Sequence, residues 1–597
     1  MRAGLMRVVF VLVGLALAAG AGRLAYVEHV DGSALRAAAE RQQTVELRIP
    51  AERGEILDTQ GRLLAGSETR PSVFVDPSLL GDAANRSYAA YSVAPVLGLS
   101  APELEQMLAE QAERQFVWLK RLINDTELEA FRQVQRGRRL QAFGVQWESV
   151  RTYPQGSLAA HLLGFVGDPV EGVARGLGGA ELAFDKHLTG RPGRRVRMVD
   201  VRRRGLRAQA ADYIPPVDGA TVVLTIDAYI QERVEQHLHE AVEKFKAEWG
   251  VAVVIDPQSG EVLAMATVPA FDPARPIPPG MAKDKATERL MNRAISFAYE
   301  PGSIFKPFIA GPALNEGLTR LNEVFAINGR ERRFGRRTIR DTHQHGELPL
   351  HEVISRSSNI GMAMLGGRVG NDRLYRYVRD FGYGRKTGLG LPGEHDGLLQ
   401  ELAQWTGYST HSIPIGQEVG VTAIQVVAAF SVFANGGVLY QPRILRGVIG
   451  ADGETLLDNS QPIVVRQVMS PATVARFREE ALVEAVMSDI GTGKNARVPG
   501  YRVFGKTGTA QVARTDGRGY EPRAYTGSFV GGAPAGQPRA VVLVSLHKPS
   551  GGRYYGGTVS APAVSAILAD TLRYLQVPPE VTSADADEII GGRGRAR

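Results

Sequence analysis

Ser303-Ile304-Phe305-Lys306 sets a hydroxyl and an amine three residues apart. On a helix, positions i and i+3 share a face, so the amine can reach the hydroxyl. A serine beside a base is the arrangement for covalent acyl transfer. S-x-x-K is weak alone, and it recurs at Ser545–Lys548. That copy follows the strand-like "RAVVLV", where residues three apart face opposite ways. Ser303 instead follows Pro301-Gly302 and opens the helical run "SIFKPFIAGPALNEGL". Pro307 is acceptable only in a first turn, which places Ser303 at a helix N-terminus, where the positive end favours oxyanion charge.

Two further short patterns follow. Ser357-Ser358-Asn359 precedes the apolar helical run "NIGMAML"; an ordinary N-cap would account for either serine alone. Lys506-Thr507-Gly508 ends the stretch "GYRVFGKTG", which also fits the phosphate-cradling G-x-x-x-x-G-K-T. A phosphate loop needs a helix after the lysine. Here bulky Tyr501–Phe504 precede it and strand-like "TGTAQVA" follows, so the phosphate match is coincidental. Gly508 has no side chain to block a substrate lying along that strand. A second copy, Lys386-Thr387-Gly388 in "GYGRKTGLGLPG", reads as a turn. One copy of each pattern thus has suitable local structure, in chain order, at separations of 54 and 149 residues.

The elements that must hold these residues come next. Val251–Ile255 and Glu261–Thr267 flank the turn "DPQSG", and Ala524–Gly532 and Arg539–His547 flank "APAGQP". With Arg502–Val512 these make about five short, mostly antiparallel strands. Over 200 residues of mainly helical pattern lie between, and an apolar helix from Ala561 to Leu575 closes the unit. The class is α+β: an antiparallel sheet flanked by helices, with a helical subdomain. Upstream, Thr44 to Gly66 alternates around an Asp58-Thr59-Gln60-Gly61 turn, and Ala101–Gln135 is polar and helix-like.

The 597 residues suit two or three domains, and the net charge of +7 is modest. Arginines cluster at Arg194–Arg207 and Arg330–Arg337. They could touch nucleic acid or another anionic polymer, but solvated loops and strands are the reading taken, with no nucleic-acid partner. Absence of cysteine excludes disulfides and thiol catalysis. Arg2 and Arg7 precede an apolar run from Val8 that reaches Val27 if Arg23 snorkels, enough to span a bilayer with the N-terminus cytoplasmic. A retained anchor is the reading taken. A cleaved signal peptide is its rival, with Ala16-Leu17-Ala18 or Ala19-Gly20-Ala21 as cleavage sequence. His343, His345, Glu347 and His351 sit in an irregular polar loop and are read as no metal site. The expected organisation is residues 1–28 cytoplasmic tip and anchor, 29–215 N-terminal module, 216–577 catalytic domain, and 578–597 disordered tail.

At this point the chain resembles the class B penicillin-binding proteins, the peptidoglycan D,D-transpeptidases. The resemblance rests on the three motifs and on "RGEILDTQGRLLA", "RTYPQGSLAAHLLGFVG" and "GLGGAELAFDKHLTG" in the N-terminal module. "NRAISFAYEPGSIFKPF", "GTGKNARVPGYRVFGKTGTAQ" and "YYGGTVSAPAVSAI" look most like the septal, penicillin-binding protein 3 branch. Two departures stand out: "DTQG" replaces an Arg-Asn-like pair, and Glu418 in "IGQEVGVT" replaces a common glycine. The resemblance implies the penicillin-binding transpeptidase fold and two-step acyl transfer on D-Ala–D-Ala stem peptides, with β-lactams as covalent mimics. Ser303 would be the nucleophile, Lys306 the general base, Ser357 the proton relay and Asn359 a substrate-amide anchor. Lys506 would supply electrostatic support, Thr507 and Thr509 the carboxylate site, and the N–H groups of Ser303 and Thr509 the oxyanion hole. It implies no cofactor or metal. It also implies a pedestal module docking a polytopic division glycosyltransferase and other division membrane proteins, at the inner-membrane septum. A D,D-carboxypeptidase and a non-catalytic division scaffold remain alternatives.

Overall fold

The computed structural model describes residues 2–29, 44–138, 140–168, 174–198, 213–514 and 519–580. Most of the expected tail, and the second half of the Arg194–Arg207 cluster, lie outside the described residues. The chain forms two compact units: residues 1–52 with 190–219, and residues 53–189 with 220–597. The N-terminal module, expected as 29–215, therefore contributes to both.

In the first unit, a helix covers Arg2–His29, and its Gly4–Val27 stretch is long and apolar enough to cross a membrane. Separately, Thr44–Ile49 pairs antiparallel with Gly193–Met198, which pairs with Tyr213–Ile214.

The second unit holds a five-stranded antiparallel sheet. Its strands, in chain order, are β1 (Trp249–Ile255), β2 (Val262–Val268), β3 (Phe504–Ala513), β4 (Tyr520–Ala533) and β5 (Ala540–His547). Their spatial order is β2-β1-β5-β4-β3, so β3 is an edge. Both expected hairpins form, and every residue of β1 and β5 is buried. Alternate residues explain why. Ala252, Val254, Val542 and Val544 pack with α1 (Ala228–Phe245) and the closing helix Ala561–Tyr574, while Val251, Val253, Val541 and Leu543 join the core on the other side. Covering both faces yields continuous apolar strands rather than half-polar alternation.

A second, seven-stranded sheet joins the two halves of the sequence. Ile56–Leu57 runs parallel to Thr221–Leu224 and antiparallel to Leu63–Val75. Asp58, in the turn joining Ile56–Leu57 to Leu63–Val75, is buried: it accepts from the backbone of Gln60 and Arg62 and, across the chain, from the Ala228 N–H. The polar stretch expected as one helix is two, Ala101–Glu110 and Asp125–Gly137, separated by the strand Val117–Lys120. Asn124 closes a capping box with Glu127 that restarts the helix.

One long element was not expected. Val324–Phe334 and Arg337–Pro349 form an antiparallel hairpin inside the supposedly helical region. It contains His343, His345 and Glu347 of the stretch read as an irregular loop, and His351 lies on the helix Leu350–Ser355 that follows. Phe325, Ile327, Ile339 and Leu348 are the hairpin's buried apolar residues, joined by buried Asp341, and the arginines between them mask the alternation.

Candidate active site

The three motifs converge at the β3 edge. Ser303 lies in a 3₁₀ turn, Gly302–Phe305, which leads directly into α2 (Pro307–Asn315) with Pro307 in its first turn. The expected α-helical start is thus one turn later. In a 3₁₀ turn side chains at i and i+3 eclipse, so Ser303 and Lys306 still share a side. Gly302 adopts φ +57°, and a Cβ there would lie 3.0 Å from the Thr509 carbonyl oxygen. A Cβ on Gly508 would come within 2.8 Å of Ile304 Cγ2 and 3.0 Å of the Pro301 carbonyl oxygen. The bare backbone at Gly508 therefore makes room for the serine turn, a different reason from the substrate clearance expected from sequence.

Lys306 and Lys506 are completely buried. Lys306 Nζ donates to the Ser357 carbonyl (2.6 Å) and hydroxyl (3.1 Å), rather than to Ser303. Lys506 Nζ donates to the same Ser357 hydroxyl at 2.9 Å and to the Thr507 carbonyl at 3.1 Å. Burial pulls Lys306 down to about 7, against a smaller upward pull from Asp341. Burial, reinforced by the neighbouring Lys306, holds Lys506 well below the ordinary lysine range. A lysine kept neutral near pH 7 is fitted to accept a proton.

Ser357 sits at φ +63°, a region that disfavours side chains and is found where surrounding structure fixes it. Its neighbours show what does so. Ser358 caps α3 (Asn359–Val369) by accepting from the Gly361 N–H, and donates its hydroxyl proton to buried Asp341 at 2.6 Å. Asp341 also accepts from the backbone N–H groups of Asn359 and Ile360. Asn359 Nδ2 donates to the Arg340 carbonyl at 2.9 Å. The unexpected hairpin thus holds the Ser357–Asn359 corner. Sequence reading passed over Asp341 because it begins a polar run resembling a histidine cluster. No local signal marks it, because its partners at Ser358, Asn359 and Ile360 reach it only through the fold.

On β3, Thr507 Oγ1 shares a 2.8 Å hydrogen bond with Thr492 Oγ1, and Thr509 Oγ1 accepts from the Gly556 N–H at 3.1 Å. Lys506, Thr507, Gly508 and Thr509 are therefore gathered with Ser303, Lys306, Ser357 and Asn359 around one edge. Glu418 stands at the rim with φ +60°, which explains why glycine suits the position. Its N–H donates to Glu300, its carboxylate accepts from Ser409 Oγ at 2.8 Å, and Arg337 lies 3.6 Å away.

The second copies of the motifs lie elsewhere. Ser545 is buried in β5 and hydrogen-bonded to Ser528 and Tyr299, while Lys548 pairs with Glu521. Lys386-Thr387-Gly388 is a loop in which Glu394 accepts from the Thr387 N–H at 2.6 Å.

Comparison with known proteins places the chain in a family. Residues 250–569 match the penicillin binding protein transpeptidase domain and residues 48–224 the penicillin-binding protein dimerisation domain. Over 563 residues the chain is 35% identical to stage V sporulation protein D of Bacillus subtilis (strain 168), covering 93% of this chain and 83% of that one. It is 31% identical over 588 residues to peptidoglycan D,D-transpeptidase FtsI of Escherichia coli (strain K12), covering 97% and 93%. A crystal structure of penicillin-binding protein 3 from Mycobacterium tuberculosis, complexed with aztreonam, superimposes with a TM-score of 0.67 at 29% identity, covering 90% and 98%. Motifs, sheet and relatives agree along nearly the whole length, and the chain belongs to the class B penicillin-binding proteins.

Proposed function

We propose that the protein is a peptidoglycan D,D-transpeptidase that works through an acyl-enzyme on Ser303 and is a covalent target of β-lactams. The observation carrying this reading is the meeting of two buried lysines at the Ser357 hydroxyl, beside a serine turn packed on an edge strand. Neutral Lys306 takes the Ser303 proton as Oγ bonds to the penultimate D-alanine carbonyl carbon. The oxyanion rests on the N–H groups of Ser303 and Thr509, where losing one donor typically costs about 3 kcal/mol. As the C–N bond breaks, Ser357 relays the proton to the departing D-alanine nitrogen. Asn359 holds the substrate amide, and Thr507 and Thr509 bind the terminal carboxylate beside Lys506. A second strand's amine then attacks the ester, giving the cross-link and returning the proton to Ser303.

Residues 216–577 form the catalytic domain in this reading, and 29–215 a pedestal. Arg2 and Arg7, before the apolar run that starts at Val8, support a cytoplasmic N-terminus and a periplasmic catalytic domain at the inner membrane. The septal setting and docking to a polytopic glycosyltransferase rest on the sequence resemblance.

Fluorescent penicillin labelling of the full-length protein in detergent tests the reading. Wild type and Ser545→Ala are expected to label and hold the label for many minutes, and Ser303→Ala not at all. A folded wild type that stays unlabelled would sink it.

A further inference from the structure

We propose that the arginine-rich end of the Val324–Pro349 hairpin binds the carboxylates of the acceptor peptidoglycan strand and brings that strand to the acyl-enzyme. The inference rests on the transpeptidase reading above and names the partner of its second step.

Between Arg330 and Arg340 there are six arginines and a single acid, Glu331. Glu331 pairs with Arg340, and Arg337 with Glu418. Among the described residues, Arg330, Arg332, Arg333 and Arg336 form no ion pair with a carboxylate; Arg332 and Arg333 donate to the Ala326 and Gly335 carbonyls. All four are exposed. Other arginines of this unit are matched in pairs on one acid: Arg53 and Arg151 share Glu181, and Arg373 and Arg376 share Glu316. Unpaired guanidinium groups held on a β-hairpin are preset for planar anions, since each fork fits a carboxylate with two hydrogen bonds.

Position decides which anion. The partner strand of the same hairpin carries Asp341, which holds the Ser357–Asn359 corner, and the Arg340 carbonyl accepts from Asn359 itself. Arg337 reaches Gln417 and Glu418 at the cleft rim. A polymer lying on the hairpin therefore lies beside the reacting serine. The acceptor must present its amine there, and its stem peptides carry repeated free carboxylates. A polyanion engaged by several cations is steered at a distance and released by salt, because screening shortens the reach to about 10 Å at 0.1 M.

The test uses the full-length protein with Arg330, Arg333 and Arg336 all changed to glutamine. Fluorescent penicillin acylation, which reports on the transpeptidase reading independently, is expected to stay within about twofold of wild type. Transfer from a soluble D-Ala–D-Ala donor to a free D-amino acid should likewise be unchanged. Co-sedimentation with purified sacculi and transfer to polymeric acceptor should fall about tenfold at low salt, and the wild-type salt dependence should flatten. Unchanged sacculus binding overturns the proposal, as does equal wild-type binding to sacculi whose carboxylates have been amidated. Loss confined to co-flotation with anionic phospholipid vesicles overturns it in favour of a membrane contact.

Discussion

Two regions carry the same four-residue pattern and differ in everything else. Ser303–Lys306 lies on a tight turn at a sheet edge, with its lysine buried against a second lysine. Ser545–Lys548 runs off the end of a central strand, with its serine locked inside the sheet and its lysine paired with Glu521. The two K-T-G copies divide in the same way, one on β3 and one in a loop tied to Glu394. A motif acquires chemistry from the element beneath it. A turn eclipses residues three apart, and a strand opposes them.

The contrast can be broken most sharply at the serines. Ser303→Ala should lower penicillin acylation by roughly five orders of magnitude or more, the scale seen when a nucleophile is removed. Ser545→Ala should acylate normally but lose about 1–3 kcal/mol in denaturant unfolding, because Ser528 and Tyr299 lose a buried partner. Equal labelling loss in both would erase the distinction. At the lysines, Lys506→Ala should slow acylation by roughly a hundredfold or more, against less than twofold for Lys386→Ala. Lys306 sharpens the comparison through pH. Its amine serves as base only when neutral, and its value is about 7. Acylation should thus fall about tenfold per unit below pH 7 and level off above it, a profile readable by stopped-flow. Asp341→Asn should cost about tenfold in rate with about 1–2 kcal/mol of stability, by weakening the charge-assisted bonds at Ser358 and Asn359. Smallest of all, Glu418→Gly should raise stability by about 1 kcal/mol by relieving φ +60°, visible as a higher Tm.

Much of this was legible in sequence where one local signal sufficed. The runs "VAVVI" and "AVVLVSLH" could only be covered strands, and Pro307 fixed where the serine turn must meet its helix. The hairpin of Val324–Phe334 and Arg337–Pro349 resisted because its alternation is carried by four apolar residues among many charges. Asp341 was invisible for a related reason: its partners, Ser358 and the Asn359 and Ile360 N–H groups, are brought to it only by the tertiary fold. The packing role of Gly508 was not legible because the turn that fills its space comes from a segment roughly two hundred residues earlier.

The order of strands in the main sheet also bears on how the chain matures. Trp249 of β1 is paired with His547 of β5, so the sheet closes only across a loop of roughly three hundred residues. Until that partner arrives, the β1–β2 hairpin stands with two apolar faces and an open edge. A chain halted before β5 would thus be a strong substrate for holding chaperones and quality-control proteases. The sheet is complete only once its last hairpin is in place, so a truncation there leaves β1, near the start of the domain, without its partner.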